Sequence, residues 1–253
     1  MTWNVLTWQE KLARIGRSTW DGLLQLIYPP VCLMCARRTE AAGLPFCTDC
    51  QTALSADEHH RCRRCAATVG PFVSTETGCT RCHDEVYAFD SVLRLGPYDG
   101  ALREAVLRMK HGSGEMLAEC LGLLWGRSRE AELRSAAADV VVPVPLHWWR
   151  RWTRSYNQCD ALGYSLAATL GLPCRPRWLR RVRATTPQTR LTPAQRLVNL
   201  RKVFRARGEL QGKCVLLIDD VLTSGSTASE AAAALKRQGA ARVVVAVAAR
   251  SHP

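Results

Sequence analysis

The chain has 253 residues, of which 47% are hydrophobic and 7% aromatic, a globular composition that excludes a wholly disordered chain. No apolar run approaches the roughly 20 residues that span a bilayer, and no signal-peptide pattern opens the sequence. The expected setting is therefore a reducing cytoplasm, where its twelve cysteines hold metal more readily than they form disulfides.

The formal charge of +13 is concentrated: residues 140–213 carry fifteen Arg or Lys against only Asp160 and Glu209. Such a stretch suits a polyanionic partner, either a ligand's phosphates or a nucleic-acid backbone; a solvated arginine face is the bland alternative. Along the chain, residues 3–27 place Val5, Trp8, Leu12, Ile15, Leu23 and Ile27 largely at helical intervals, and Tyr28-Pro29-Pro30 ends the pattern. The charges of this amphipathic helix nearly cancel, which favours packing on its own protein over a membrane surface or a partner.

Four Cys-x-x-Cys pairs follow: Cys32/Cys35, Cys47/Cys50, Cys62/Cys65 and Cys79/Cys82, their first members 15, 15 and 17 residues apart. Each pair presents two thiolates, and tetrahedral zinc needs four, so the repeat predicts two structural zinc ions. Spacing leaves open whether the pairs close in sequence or in a cross-brace; the sequential arrangement is the expectation. Few large apolar residues lie in 31–84, so metal must replace a core there. A tetrathiolate zinc carries about two negative charges, which Arg37, Arg38, Arg61, Arg63, Arg64 and Arg81 are placed to offset. His59, His60 and His83 are read as surface residues.

From about residue 86 the texture changes to alternating strands and helices. Residues 86–95 read as a half-buried strand, 99–111 as a helix with Leu102, Val106 and Met109 on one face, and 115–134 as another helix. A buried strand is expected at 139–145 and a helix from Asn157, its N-cap, to Leu170. "CVLLID" then reads as a strand, "STASEAAAALKRQG" as a helix closed by Gly239, and "RVVVAVAAR" as a last strand. Continuous aliphatic strands separated by helices predict an α/β fold with a parallel sheet covered on both faces.

The stretch "VLLIDDVLTSGSTAS", residues 215–229, delivers Asp219 and Asp220 to the carboxyl edge of that sheet, where open α/β folds bind ligands. Gly225 permits a tight turn, the next amides open a helix N-terminus, and Thr223, Ser224, Ser226 and Thr227 add hydroxyls, a set that suits a phosphate monoester. Carboxylates beside it suit the hydroxyls of a ribose or a bridging Mg²⁺. No Gly-Lys-Ser/Thr loop or Gly-x-Gly-x-x-Gly pattern supports a nucleotide triphosphatase or a dinucleotide site.

This motif closely resembles the phosphoribosyl diphosphate (PRPP) motif of type I phosphoribosyltransferases. By that resemblance Asp219 and Asp220 hold the ribose, while Thr223, Ser224, Gly225, Ser226 and Thr227 hold the 5′-phosphate, with Mg²⁺ accompanying PRPP. Together with the cysteine pairs, "VPVPLHWWRRWTRSYNQ" (142–158) and "RVRATTPQTRLTPAQRLVNLRKVF" (181–204), nearly the whole chain resembles the ComF-type competence family. Its Arg-Gly-Phe-Asn-Gln appears here as Arg154, Ser155, Tyr156, Asn157 and Gln158, and its Arg, Gln, Leu, Arg, Asn series as Arg183, Gln188, Leu191, Arg196 and Asn199.

The resemblance implies a three-part chain: an N-terminal helix (1–30), a double zinc ribbon (31–85) and a type I phosphoribosyltransferase-like domain (86–253). Phosphoribosyl transfer needs cations around a leaving pyrophosphate, for which Lys110, Arg154, Arg183 and Arg196 are the candidates, with the backbone N–H of Val144 as a further contact. Residues 175–200 suit either a flap closing over the site or an ordinary surface loop. No acceptor base is legible. The label of amidophosphoribosyltransferase is to be resisted: that class is marked by a catalytic cysteine opening a glutaminase domain, and this sequence, which opens Met1-Thr2-Trp3, is expected to have neither. The family's association with DNA uptake in natural transformation implies a helicase-like partner on the cytoplasmic side. It sets a second reading beside the enzymatic one: Trp148, Trp149 and Trp152 interleave with Arg150, Arg151 and Arg154, a pattern suited to single-stranded DNA. The same tryptophans also suit packing between the two domains.

Overall fold

Four aliphatic runs, each bounded by glycine, proline or an acid, become the strands of one parallel sheet. The computed structural model describes residues 29–39, 43–112, 114–146, 156–182 and 203–251. The helix expected at 3–27 lies outside them. The elements are α1 (Thr48–Ser55), β1 (Ser91–Pro97), α2 (Gly100–Arg108), α3 (Gly114–Ser128), α4 (Glu130–Ser135) and β2 (Val140–Pro143), followed by α5 (Gln158–Leu170), β3 (Leu179–Arg181), β4 (Phe204–Ala206), β5 (Cys214–Leu222), α6 (Ser226–Arg237) and β6 (Arg242–Arg250). The sheet order is β1-β6-β5-β2, every pair parallel, and β3 and β4 form a separate antiparallel pair.

The central strands are buried on both faces, as their unbroken aliphatic sequences require: Cys214–Ile218 and Val243–Arg250 are buried throughout. Helices cover the sheet. Asn157 caps α5 as expected, its side chain accepting from the Cys159 amide at 3.2 Å. On α3, Gly122 and Gly126 permit close approach to α5, since a Cβ at either would come within 2.7 Å of Ser165 or Thr169. The single helix expected at 115–134 is two, broken at Arg129, whose guanidinium donates to the carbonyls of Ser55 and Asp57 at 3.2 and 3.0 Å. The three-residue strands β3 and β4 were not anticipated, being too short for any periodicity to register.

The chain divides into two compact units after Gln51. Residues 31–85, read from the sequence as one module, are thereby shared between them: the first four cysteines fall in one unit and the next four in the unit that contains the sheet. A buried ion pair holds that second group in place. Arg94, on β1, is fully buried and donates from Nε and Nη2 to Asp57 at 2.8 and 3.0 Å, and from Nη1 to the Ala66 carbonyl at 2.7 Å. Burial alone would raise the Asp57 pKa, but the hydrogen bonds and charge of Arg94 outweigh it and hold the carboxyl below its ordinary value. Removing one partner strands the other charge away from water. Asp57→Ala is therefore expected to destabilise the sheet-containing unit by about 3–5 kcal/mol, read as a lowered midpoint in chemical denaturation.

Candidate functional site

The cysteines close in sequence: Cys32, Cys35, Cys47 and Cys50 gather in one cluster and Cys62, Cys65, Cys79 and Cys82 in another, the ligand atoms of each within 4.8 Å of one another. A tetrahedral metal with bonds of about 2.3 Å to sulfur sets its ligands about 3.8 Å apart. The sulfurs of Cys35 and Cys47 are 3.6 Å apart, and the Cys62–Cys82, Cys65–Cys79 and Cys79–Cys82 separations are 3.7, 3.7 and 3.8 Å. Both clusters thus fit zinc. The repeat is visible in the backbone too: Ala36 and Ala66, each following the second cysteine of a pair, have φ of 59° and 53°. In each knuckle that alanine's amide returns to the first cysteine's carbonyl, at 2.9 and 2.8 Å. Burial raises the Cys62 thiol, yet the amides of Cys65 and Arg64 more than offset it, lowering its pKa toward the thiolate a metal requires.

Of the arginines expected to balance these clusters, Arg37 pairs with Asp49 at 3.1 Å and Arg61 with Glu132 at 2.7 Å. Arg64 instead donates to the carbonyls of Cys82 and Glu85 and lies over the Tyr87 ring. His59, His60 and His83 are exposed.

The acids lie on β5 past the point where β2 stops. Pro143 pairs with Ile218 as the last β2 partner, and the Val144 amide donates to the Ile218 carbonyl at 2.8 Å. That amide therefore extends the sheet rather than facing a ligand. The Asp220 carboxylate receives Lys110 Nζ and Gln158 Nε2, each at 3.0 Å, and Asp219 receives the Cys159 thiol at 3.6 Å and the Asp220 amide at 2.9 Å. Adjacent carboxylates in a low-dielectric position cannot both ionise cheaply. Burial and the neighbouring Asp220 charge raise Asp219 to about 7. Burial also disfavours ionised Asp220, but Lys110 and Gln158 override it and lower that pKa. Gln158 is 4% exposed, and its Oε1 has no partner among the described residues.

Beyond the acids, β5 continues to Leu222, and Thr223, Ser224 and Gly225 make the turn into α6. Gly225 has φ 80°, and no side-chain hydrogen bond from it caps the helix. The Ser224 and Ser226 hydroxyls are 2.9 Å apart. Among the described residues, the amides of Thr223, Ser224 and Gly225 have no acceptor. Unpaired amide donors before the first turn of a helix are an arrangement whose chemistry suits an anion.

The structure therefore joins Lys110, Asp219 and Asp220 in one cluster, with the 223–227 turn following directly on the same strand. Trp148, Trp149, Arg150, Arg151, Trp152, Arg154, Arg183, Gln188, Leu191, Arg196 and Asn199 lie outside the described residues, as does most of the 175–200 segment. Sequence reasoning missed Cys159 and the Gln158–Asp220 contact, although both residues directly follow the expected N-cap Asn157. It also missed Tyr87 and Arg250, which hold the turn from behind.

The fold is that of an α/β protein of the phosphoribosyltransferase type carrying two four-cysteine zinc-type clusters. A family model described as a double zinc ribbon domain matches residues 23–85, and one described as a phosphoribosyl transferase domain matches 161–252. The DNA utilization protein YhgH of Salmonella typhimurium is 30% identical over 223 residues, covering 87% of this chain and 96% of that protein. Competence protein F of Haemophilus influenzae is 27% identical over 220 residues, covering 85% and 94%. The chain belongs to the ComF-type competence family that these relatives represent. Among solved structures, the glutamine PRPP amidotransferase from B. subtilis aligns with 58% of this chain and 30% of its own, at 21% identity and a TM-score of 0.36.

Two outcomes follow from this geometry. Elemental analysis of the purified chain is expected to give two zinc ions, and one after Cys32→Ser/Cys35→Ser. The folded state keeps the Asp219 proton up to about pH 7, whereas an unfolded aspartate releases it near 3.8, so this group costs stability as pH rises through that interval. Asp219→Asn removes the cost. Its thermal midpoint is expected to exceed wild type by a margin that grows between those two values and then levels off, reaching several degrees in calorimetry.

Proposed function

We propose that this protein binds PRPP or a closely related ribose phosphate at the tip of β5. The observation that carries the reading is the pairing of an acidic cluster with three acceptor-free amides one turn further along the same strand. Asp219 and Asp220 would accept from the ribose hydroxyls, and the 223–227 turn would take the 5′-phosphate through its amides and hydroxyls. The phosphoribosyl transferase domain match over 161–252 supports the assignment, because it contains all of these residues.

In this reading, ribose hydroxyls replace Lys110 and Gln158 as donors to Asp220, and the released ammonium becomes available to the pyrophosphate side. Arg154, Arg183 and Arg196 are proposed to add positive charge there. In this reading the buried Gln158 Oε1, which has no partner among the described residues, would accept a ligand hydroxyl once its amide is released from Asp220. Magnesium, when bound with PRPP, would neutralise the pyrophosphate. The phosphoribosyltransferase class also implies transfer to an acceptor.

The relatives' names, DNA utilization protein and competence protein, favour a second role in handling DNA; the family resemblance adds uptake alongside a helicase-like partner to that proposal. For that role the interleaved Trp148, Trp149, Arg150, Arg151 and Trp152 are the proposed single-stranded DNA contacts.

Titration calorimetry separates the two roles. PRPP with Mg²⁺ is expected to bind wild type and to lose at least about tenfold in affinity in Asp219→Asn/Asp220→Asn. Single-stranded DNA binding is expected to survive that change and to fail in Arg150→Ala/Arg151→Ala/Trp152→Ala. Absence of any PRPP binding to wild type with Mg²⁺ present overturns the first reading.

A further inference from the structure

The phosphate turn is held from behind by two side chains that also grip the second cysteine cluster. Arg250, the last residue of β6, is only 4% exposed. Its Nη1 donates to the carbonyls of Leu222, Thr223 and Ser251 at 2.8, 2.5 and 2.6 Å, and its Nε donates to the Cys65 carbonyl at 2.9 Å. Tyr87 donates from its hydroxyl to the Ser224 carbonyl at 3.3 Å. Its ring packs against the buried Cys62–Cys82 cluster, stacks on Phe89 at 4.5 Å and lies beneath the Arg64 guanidinium. Arg64 in turn donates to the carbonyl of Cys82, itself a cluster cysteine.

These contacts dictate where the turn's amides face. In a trans peptide unit the carbonyl of one residue and the N–H of the next point in opposite directions, and no cis peptide is present among the described residues. Three consecutive carbonyls, those of Leu222, Thr223 and Ser224, are drawn toward Arg250 and Tyr87. The amides of Thr223, Ser224 and Gly225 are thereby turned the other way, and these are the three amides that have no acceptor among the described residues. Gly225 fits the same constraint, since a Cβ there would stand 3.1 Å from the Tyr87 ring.

We infer that Arg250 and Tyr87 are positioning residues for the anion site and that the Cys62–Cys65–Cys79–Cys82 cluster is the base from which they act. Zinc in that cluster serves ligand binding through these side chains as well as local folding. The inference deepens the ribose-phosphate reading and rests on it for the identity of the anion. The alignment of the amides is independent of that identity.

The experiment uses the full chain with ribose 5-phosphate as the probe, and compares wild type, Tyr87→Phe, Arg250→Lys and Arg250→Gln. Zinc content is measured throughout, as are the nitrogen-relaxation order parameters of Thr223, Ser224 and Gly225 without ligand. Tyr87→Phe is expected to keep both zinc ions and to weaken ribose 5-phosphate binding about fivefold, the effect of one lost hydrogen bond. Arg250→Gln is expected to lose at least about tenfold, with lowered order parameters in the turn, and Arg250→Lys to fall between the two. Unchanged affinity and unchanged order parameters in variants that retain both zinc ions overturn the inference. Should Arg250→Gln fail to fold, Tyr87→Phe decides. Should wild type bind neither ribose 5-phosphate nor PRPP with Mg²⁺, the ribose-phosphate reading falls, and the order parameters alone decide whether these side chains position the turn.

Discussion

A guanidinium placed in the middle of an aliphatic strand has to find a carboxylate, because an unpaired charge away from water costs far more than a strand's packing returns. Arg94 meets that demand with Asp57, and the solution shapes the rest of its unit. To reach Arg94 the chain must bring residues 57 to 66 against β1, and with them the first knuckle of the second cysteine cluster. Once that knuckle is docked, the Cys65 carbonyl faces Arg250 on the neighbouring strand β6, and the Tyr87 ring covers the cluster. The zinc-type cluster is thereby built into the same compact unit as the sheet.

Electrostatics at the other end of β5 follows a related logic. Two adjacent aspartates at a strand tip would repel, and the structure resolves this unequally. Asp220 receives an ammonium and an amide and stays ionised, while Asp219 receives a thiol and holds its proton toward neutrality. Buried Cys159 remains a donor because burial and the nearby acids push its thiol well above its ordinary value. An acid pair split in this way offers a ligand one strong acceptor and one group able either to accept or to donate.

The acids and the turn differ in what supports them. Helix α5 and the end of α2 hold the acids through Gln158, Cys159 and Lys110, whereas the second cysteine cluster and β6 hold the turn. The backbone of β5 joins the acids to the turn. The acids and the turn thus rest on separate foundations, one of them the packing around the second cysteine cluster.

Much of this was legible in order along the chain. The repeated Cys-x-x-Cys pairs foretold two four-cysteine clusters, whereas their sequential closure, which spacing left open, was settled by the fold. Alternation of aliphatic runs with helical patterns foretold the parallel sheet, because a strand buried on both faces needs an unbroken apolar sequence. The Asp219–Thr227 motif put the candidate acids and the turn on one short stretch, legible because those residues are adjacent in sequence. What only the tertiary structure decided was which distant groups meet it: Tyr87 lies 137 residues from Ser224, and Arg250 lies 185 from Cys65. The signal that went unread was an arginine within or at the end of an apolar strand, Arg94 in "SVLRLGP" and Arg250 in "RVVVAVAAR", since a buried guanidinium needs partners. Their identity depends on strand order and register, which arise from packing the whole sheet, and no local pattern encodes that.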